Sequence, residues 1–210
     1  MPPPAADTPT EPGTDWGALY RDHVAAVSAL VSELPDDRLG ATVPATPAWT
    51  VHDVVAHLAG VSSDAVTGWM EGAPGPEWTA RHVAERRGHL VPAMLAELGS
   101  HQDVIAEQVA GNPRPAIVWD ISVHHADLHE ALGRGMLPER MWLPVLAAVA
   151  PSRFGAAGVP EDVDPYELFR AVFSRRSRTQ MQAWGLPLSA DQLDELCIFG
   201  PRDDDQPVPA

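Results

Sequence analysis

Residues 50–70 read TVHDVVAHLAGVSSDAVTGWM, and this stretch decides the fold. Thr50 is a good helix N-cap, and Asp53, three residues on, supplies a weaker variant of the capping box. Val51, Val54, Val55, Leu58, Val61 and Ala65 then recur at helical spacing and mark one apolar stripe. Outward from this helix, which runs to about Met70, the same periodicity repeats. Upstream, Leu19, Val24, Val27, Leu30, Val31 and Leu34 predict a helix from Asp15 to Leu34, ended by Pro35. The segment from Asp36 to Trp49, broken by Pro44 and Pro47, reads as a linker. Downstream, Gly72-Ala73-Pro74-Gly75-Pro76 breaks the chain before a third helical stretch, Trp78 to Val109, with kinks expected near Pro92 and Gly99-Ser100. Gly111-Asn112-Pro113 separates it from a fourth helix, Pro115 to Leu132, which stops at Gly133. Strand patterning is almost absent. Four long helices predict an all-α protein built on a helix bundle.

Histidines placed on these helices by a 100° wheel separate into groups. His57 falls on the edge of the apolar stripe of its helix, and His52 on the opposite face. On the fourth helix Asp120 and His124 flank the stripe formed by Ile117, Ile121, Leu128, Ala131 and Leu132, with Asp127 projecting from nearly the same side. Four residues of helix rise only about 6 Å, so both flanking side chains reach one point. One histidine from one helix and an Asp-x3-His pair from another is how bundles build metal sites. Three protein ligands leave a position for water or substrate, and two imidazoles with one carboxylate suit Zn²⁺, Fe²⁺, Ni²⁺ or Mn²⁺ without separating them. The competing reading is a set of hydrogen-bonded histidines and a solvated polar face around His124, His125 and His129.

Composition narrows the function classes. Net charge is −15, from 14 basic and 29 acidic side chains. Every basic residue is Arg, which excludes Schiff-base, P-loop and pyridoxal-phosphate lysines. Such an acidic chain is a poor partner for nucleic acid or an anionic membrane. The single Cys197 excludes an internal disulfide and a cysteine-based zinc site, and reads as a packed small hydrophobe. No apolar run approaches the ~20 residues of a membrane span, and the opening residues lack the pattern of a signal peptide, so the expectation is a soluble cytoplasmic protein.

Several segments together resemble the mycothiol-dependent maleylpyruvate isomerase family. Thr46-Pro47-Ala48-Trp49-Thr50-Val51-His52-Asp53, continuing to His57-Leu58-Ala59-Gly60, is similar to that family's second-helix signature. Trp119-Asp120-Ile121-Ser122-Val123-His124-His125-Ala126-Asp127-Leu128 with Ala131-Leu132-Gly133 resembles its fourth-helix segment. Glu77 to Arg87 resembles its third-helix entry, and Asp164 to Arg170 with Ser174-Arg175-Arg176-Ser177 a C-terminal stretch. The resemblance implies a DinB-like four-helix bundle. It also implies a divalent metal, usually zinc, held by His57, Asp120 and His124, the same three residues the wheel brings together. Mycothiol is implied as the thiol cosubstrate, adding to and leaving a small unsaturated electrophile. Two residues depart from the pattern. Asp120 stands where the family has Glu; the expected consequence of the shorter carboxylate is a ligand pulled back, weaker metal binding, or a role passed to Asp127 or His125. Ser174 stands where the family has Gly. An anionic substrate would need local positive charge, for which Arg86, Arg87, Arg175 and Arg176 are the candidates.

The expected organisation is a disordered tail over residues 1–14, a DinB-like metal-binding bundle over 15–135, a small C-terminal helical region over 136–201 and a disordered tail over 202–210. In the C-terminal region Pro138, Pro144, Pro151 and Pro160 are expected to cut the chain into short pieces, followed by one helix from Pro165 to Trp184. The expected activity is metal-dependent and thiol-dependent isomerisation or S-transfer on a small molecule, by a monomer or homodimer in which Trp69 and Trp142 serve an interface or the core. The alternatives are a hydrolase or lyase using metal-bound water, and a non-catalytic metal- or ligand-binding bundle.

Overall fold

The computed structural model describes residues 13–155 and 158–209; most of the tail read at 1–14 lies outside the described residues. Among the described residues the chain is all-α, and the one β feature is an isolated antiparallel bridge between Thr42 and Thr50. Its helices are α1 (Trp16–Ser32), α2 (Asp36–Leu39), α3 (Val51–Thr67), α4 (Pro76–Arg86), α5 (Val91–Val109), α6 (Ala116–Ala131), α7 (Glu139–Phe154), α8 (Pro165–Val172), α9 (Arg178–Gln182) and α10 (Ala190–Leu196). No helix is long and apolar enough to cross a membrane among these residues.

The bundle is a ring of four helices. α5 packs against both α1 and α3, and α6 closes the ring against the other sides of α1 and α3. Local chemistry sets the ends of these helices as the sequence predicts. The Thr50 N–H donates to Asp53 Oδ2 at 2.9 Å and the Asp53 N–H to Thr50 Oγ1 at 3.2 Å, so the capping box is complete. Gly68, at φ 77°, ends α3 in the left-handed conformation that glycine adopts without steric penalty. Gly17 lets α1 meet α5 closely: a Cβ there would lie 2.8 Å from the Ala106 carbonyl oxygen.

Several expectations are corrected. The stretch from Trp78 to Val109 is two helices, because the chain is extended at Leu90 and restarts with Pro92 in the first turn of α5, where its missing N–H has no helical partner to lose. Pro144 and Pro151 do not cut the chain; both lie inside α7. An interior proline costs about 3 kcal/mol, and here Met141, Trp142, Val145, Leu146, Val149 and Ala150 bury a continuous face that outweighs it. Trp142 is therefore core, with its indole N–H donating to the Leu137 carbonyl at 3.0 Å, whereas Trp69 stays exposed with the Arg81 guanidinium over its ring at 3.8 Å. The helix expected from Pro165 to Trp184 breaks into α8 and α9 at Ser174, whose φ of 62° ends one helix and redirects Arg175 and Arg176 inward. A glycine would take this φ without strain; serine is held there with its hydroxyl accepting the Phe199 N–H at 3.2 Å.

One hydrophobic core runs from Trp16 on α1 through the bundle to Phe173 beyond α8, passing the 135/136 boundary without interruption. A smaller cluster of Ala171, Met181, Leu193, Leu196 and Cys197 joins α9 and α10. The segment from Arg202 onward is not a free tail. The Arg178 N–H donates to the Arg202 carbonyl at 2.9 Å, Arg202 donates to the Ala45 carbonyl at 3.0 Å, and Gln206 is buried against Gln180. The Asp203-Asp204-Asp205 run is neutralised locally: Asp203 pairs with Arg178, Asp204 with Arg202, and Asp205 accepts from the Ser177 hydroxyl. Deleting residues 202–210 is therefore expected to destabilise the fold by roughly 1–3 kcal/mol, at about 1 kcal/mol for each hydrogen bond lost. At ~2–4 °C per kcal/mol for a chain of this size, calorimetry should show a clear drop in Tm; an unchanged Tm would mean that the tail contributes nothing.

Candidate metal centre

His57 and its capped helix come first. Two turns into α3, the imidazole points inward from the edge of the stripe and is 1% exposed. Across the bundle, α6 carries Asp120 and His124 one turn apart. His57 Nε2 lies 3.5 Å from Asp120 Oδ2, and His124 Nε2 lies 3.7 Å from Asp120 Oδ1. The two imidazole rings stand 5.0 Å apart at 72°. One ligand atom from each of the three residues falls within 4.8 Å of the others. The bridge between Thr42 and Thr50 holds the preceding loop so that Trp49 lies against both rings, 4.9 Å from His57 and 5.7 Å from His124.

This donor set suits a divalent cation. All three groups are of the type that binds zinc and its neighbours. Asp120 Oδ2 is buried and accepts no hydrogen bond, an unsatisfied anionic oxygen for which a cation is the natural partner. Burial works against ionisation of Asp120, but His57, His124 and Arg175 outweigh it and hold the carboxyl below its ordinary range. Burial in turn pushes His57 down, toward the neutral form that ligates a metal. Tyr20, buried on α1, has its phenol pushed up by burial and then by the Asp120 carboxylate.

Behind each histidine stands a carboxylate. His124 Nδ1 lies 3.0 Å from Asp127 Oδ2, a contact whose angle is too oblique for an aligned hydrogen bond. Asp127 has no exposed surface and is gripped by two arginines, Arg170 Nη2 at 2.5 Å and Arg175 through Nη2 at 2.9 Å and Nε at 3.2 Å. Burial opposes its charge, yet Arg175 and Arg170 hold the carboxyl well below the usual carboxylate range. On the other side His57 Nδ1 lies 3.3 Å from His82 Nδ1, and His82 Nε2 lies 2.9 Å from Asp64 Oδ2; Asp64 also pairs with Arg81.

The substitutes weighed for a short Asp120 are not available. Asp127 faces the far nitrogen of His124 and is committed to its arginines. His125 points the other way, with its Nδ1 3.0 Å from His23 Nδ1. Of the arginines considered as anion contacts, three are already paired. Arg86 binds Glu97 at 2.6 and 3.1 Å; Arg176 binds Glu167 at 2.6 and 2.7 Å; Arg175 is held by Asp127 and by the Phe173 carbonyl at 2.8 Å. The charge of Arg175 acts on Asp120 and helps to hold its carboxyl ionised. Arg87 is exposed at the C-cap of α4. The sequence reading gave no role to His82, Asp64 or Trp49. The signal for His82 was a glycine inside a helix, Gly60, one turn from His57.

Residues 20–144, more than half of the chain, match the family described as mycothiol maleylpyruvate isomerase N-terminal domain. The chain belongs to this family. Comparison with curated proteins and with solved structures gives no match. The triad falls wholly inside the family domain, while Arg170, Arg175 and Arg176 lie beyond it.

The remaining buried histidines set an acid limit. His23 Nε2 lies 3.0 Å from the Met141 carbonyl and Nδ1 faces His125, and burial pushes this imidazole down to about 4, with the carbonyl working partly against it. Its folded pKa lies below the unfolded value of about 6.5. Between these values the unfolded chain binds the extra proton, so the contribution of neutral His23 is full above about pH 6.5 and is lost as the pH falls toward about 4. Within that window each pH unit removes up to about 1.4 kcal/mol. The urea midpoint is expected to fall between about pH 7 and about pH 5, and to fall less in His23→Gln, which keeps a donor for Met141 but cannot titrate. Equal slopes in the two proteins would exclude His23 as a source of the acid sensitivity.

Proposed function

We propose that this member of the family is an enzyme that holds a divalent metal with His57, Asp120 and His124 and uses an external low-molecular-weight thiol, mycothiol, on a small electrophile. The observation that carries this reading is the convergence of two imidazole nitrogens on a carboxylate whose inner oxygen has no other partner. Bound there, a metal of this kind supplies Lewis acidity that lowers the pKa of a thiol and polarises an oxygen of the substrate.

The chain's own residues fit a thiol that arrives from outside. Cys197 lies in the small α9–α10 cluster, with its Sγ 3.8 Å from the Leu193 carbonyl, and burial followed by Asp194 pushes its thiol up. It is neither activated nor placed at the triad. His57 is almost fully covered and His124 nearly so, whereas the Asp120 side chain is 28% exposed, so approach is from the Asp120 side. Trp49 lies against both rings and covers part of them. In an isomerisation of the family's type the thiolate would add to one alkene carbon and leave a carbanion stabilised by the neighbouring carbonyl. Rotation about the resulting single bond and expulsion of the same thiolate restore the alkene, so no atom is gained or lost.

Metal analysis of gently purified protein, beside His57→Ala and Asp120→Ala, tests the site. About one equivalent in the native protein and loss of most of it in both variants is the expected outcome, since each removes one of three ligands. Turnover of activated alkenes should then require both metal and thiol. Turnover with metal alone would favour hydrolase or lyase chemistry through water, and metal binding without turnover a non-catalytic role.

A further inference from the structure

His82 has no exposed surface, makes no contact with solvent and lies directly behind His57. Its environment fixes where its protons sit. Asp64 Oδ2, 2.9 Å from His82 Nε2, belongs to a carboxylate that two cationic or proton-donating neighbours keep ionised, so it can only accept. The proton of that contact is therefore on His82 Nε2. In a neutral His82 ring, Nδ1 is then a bare acceptor, and its partner across 3.3 Å, His57 Nδ1, has to be the donor. The 3.5 Å contact between His57 Nε2 and Asp120 Oδ2 is not a hydrogen bond and demands no proton, so with its proton on Nδ1 His57 turns an unprotonated Nε2 toward Asp120.

The fold makes room for this arrangement at a recognisable price. Gly60 sits inside α3, where glycine costs about 1 kcal/mol relative to alanine. A Cβ at Gly60 would come within 2.4 Å of the His82 ring and 2.6 Å of its Cβ. No side chain can stand there while His82 occupies its position. Trp78, one turn earlier on α4, closes the ring from the other side at a centroid distance of 4.3 Å.

We infer that His82 is a positioning residue that sets the tautomer of His57, seated by Gly60 and backed by Asp64, so that Nε2 of His57 is presented as a lone pair. Its value to the protein rests on the reading of His57 as a metal ligand, but the tautomer itself does not. A free histidine side chain favours the proton on Nε2, the opposite of what a ligand through Nε2 needs. A second imidazole thus relays a carboxylate to His57.

The test is the two-bond proton–nitrogen correlation spectrum of the histidine rings in the full chain, freed of metal by chelator, at neutral pH. Wild type is expected to show His57 protonated on Nδ1. His82→Ala should move that proton to Nε2. His82→Asn, whose Oδ1 can replace the accepting Nδ1, should keep it on Nδ1; this small change also guards against a folding failure of the alanine variant. Gly60→Ala should behave as His82→Ala by displacing the ring. A His57 proton on Nε2 in wild type, or one unmoved in His82→Ala, overturns the inference. Zinc affinity by chelator competition is the second readout: ~10–100-fold weaker in His82→Ala, with recovery in His82→Asn. Wild-type protein that takes up no zinc defeats the metal assignment whatever the spectra show. Zinc binding that ignores His82 defeats the present inference and leaves the metal assignment standing.

Discussion

Asp127 is a carboxylate with no exposed surface, and much of the structure follows from keeping it charged. Removing one charge from water costs several kcal/mol unless partners replace the solvent. The partners are Arg170 and Arg175, both from the C-terminal segment, and each is nearly or wholly buried in its turn. Arg170 also needs Glu130, which accepts from it at 3.0 Å and from the Tyr166 hydroxyl at 3.1 Å; Arg176 needs Glu167. The network therefore fixes the register of α8 and the turn at Ser174 against α6. Such networks contribute more to choosing one arrangement than to net stability. Here the arrangement chosen covers the outer face of α6 and places a charged oxygen behind His124.

This explains why the sequence conveyed the four-helix ring and the triad but not what lies around them. The capping box at Thr50, the stripes of α1, α3 and α6, and the i, i+4 spacing of Asp120 and His124 are local patterns, and local patterns survive folding. The wheel for α6 assumed one buried face. In the structure its residues from Val118 to Leu128 are buried almost without a break, because α1 and α3 cover one side and α7 the other. His125 consequently became part of a buried histidine pair with His23, and Asp127 became a buried anion. Neither outcome is encoded in α6 alone; each depends on a residue some 40 or 100 positions away in the chain.

The errors in the C-terminal region have the same origin. Pro144 and Pro151 are helix breakers by propensity, and α7 overrides them through the apolar face it buries. Arg175 and Arg176 read as candidate anion contacts, but the left-handed turn at Ser174 sends them inward to carboxylates on α6 and α8. The segment 202–210 with its Asp203-Asp204-Asp205 run read as a disordered tail, but Arg178, Arg202 and Ser177 meet the three carboxylates one at a time. In a chain of net charge −15, most arginines are committed to such pairs, which leaves few for a substrate.

The supports of the triad are unequal, and the inequality bears on its use. His57 is backed by His82 and Asp64, and His124 by Asp127. Asp120 has no corresponding brace: one of its oxygens is buried without a partner, and its side chain is the most exposed of the three. Two rigid imidazoles and one less constrained carboxylate describe a site in which the histidines define the position of a cation and the carboxylate adjusts to it. A shorter arm is tolerable at that point, since the helix carrying Asp120 is fixed one turn further on by His124 and its buried partner. The same asymmetry makes the Asp120 side chain the most accessible part of the triad, while Trp49 lies against the two imidazole rings.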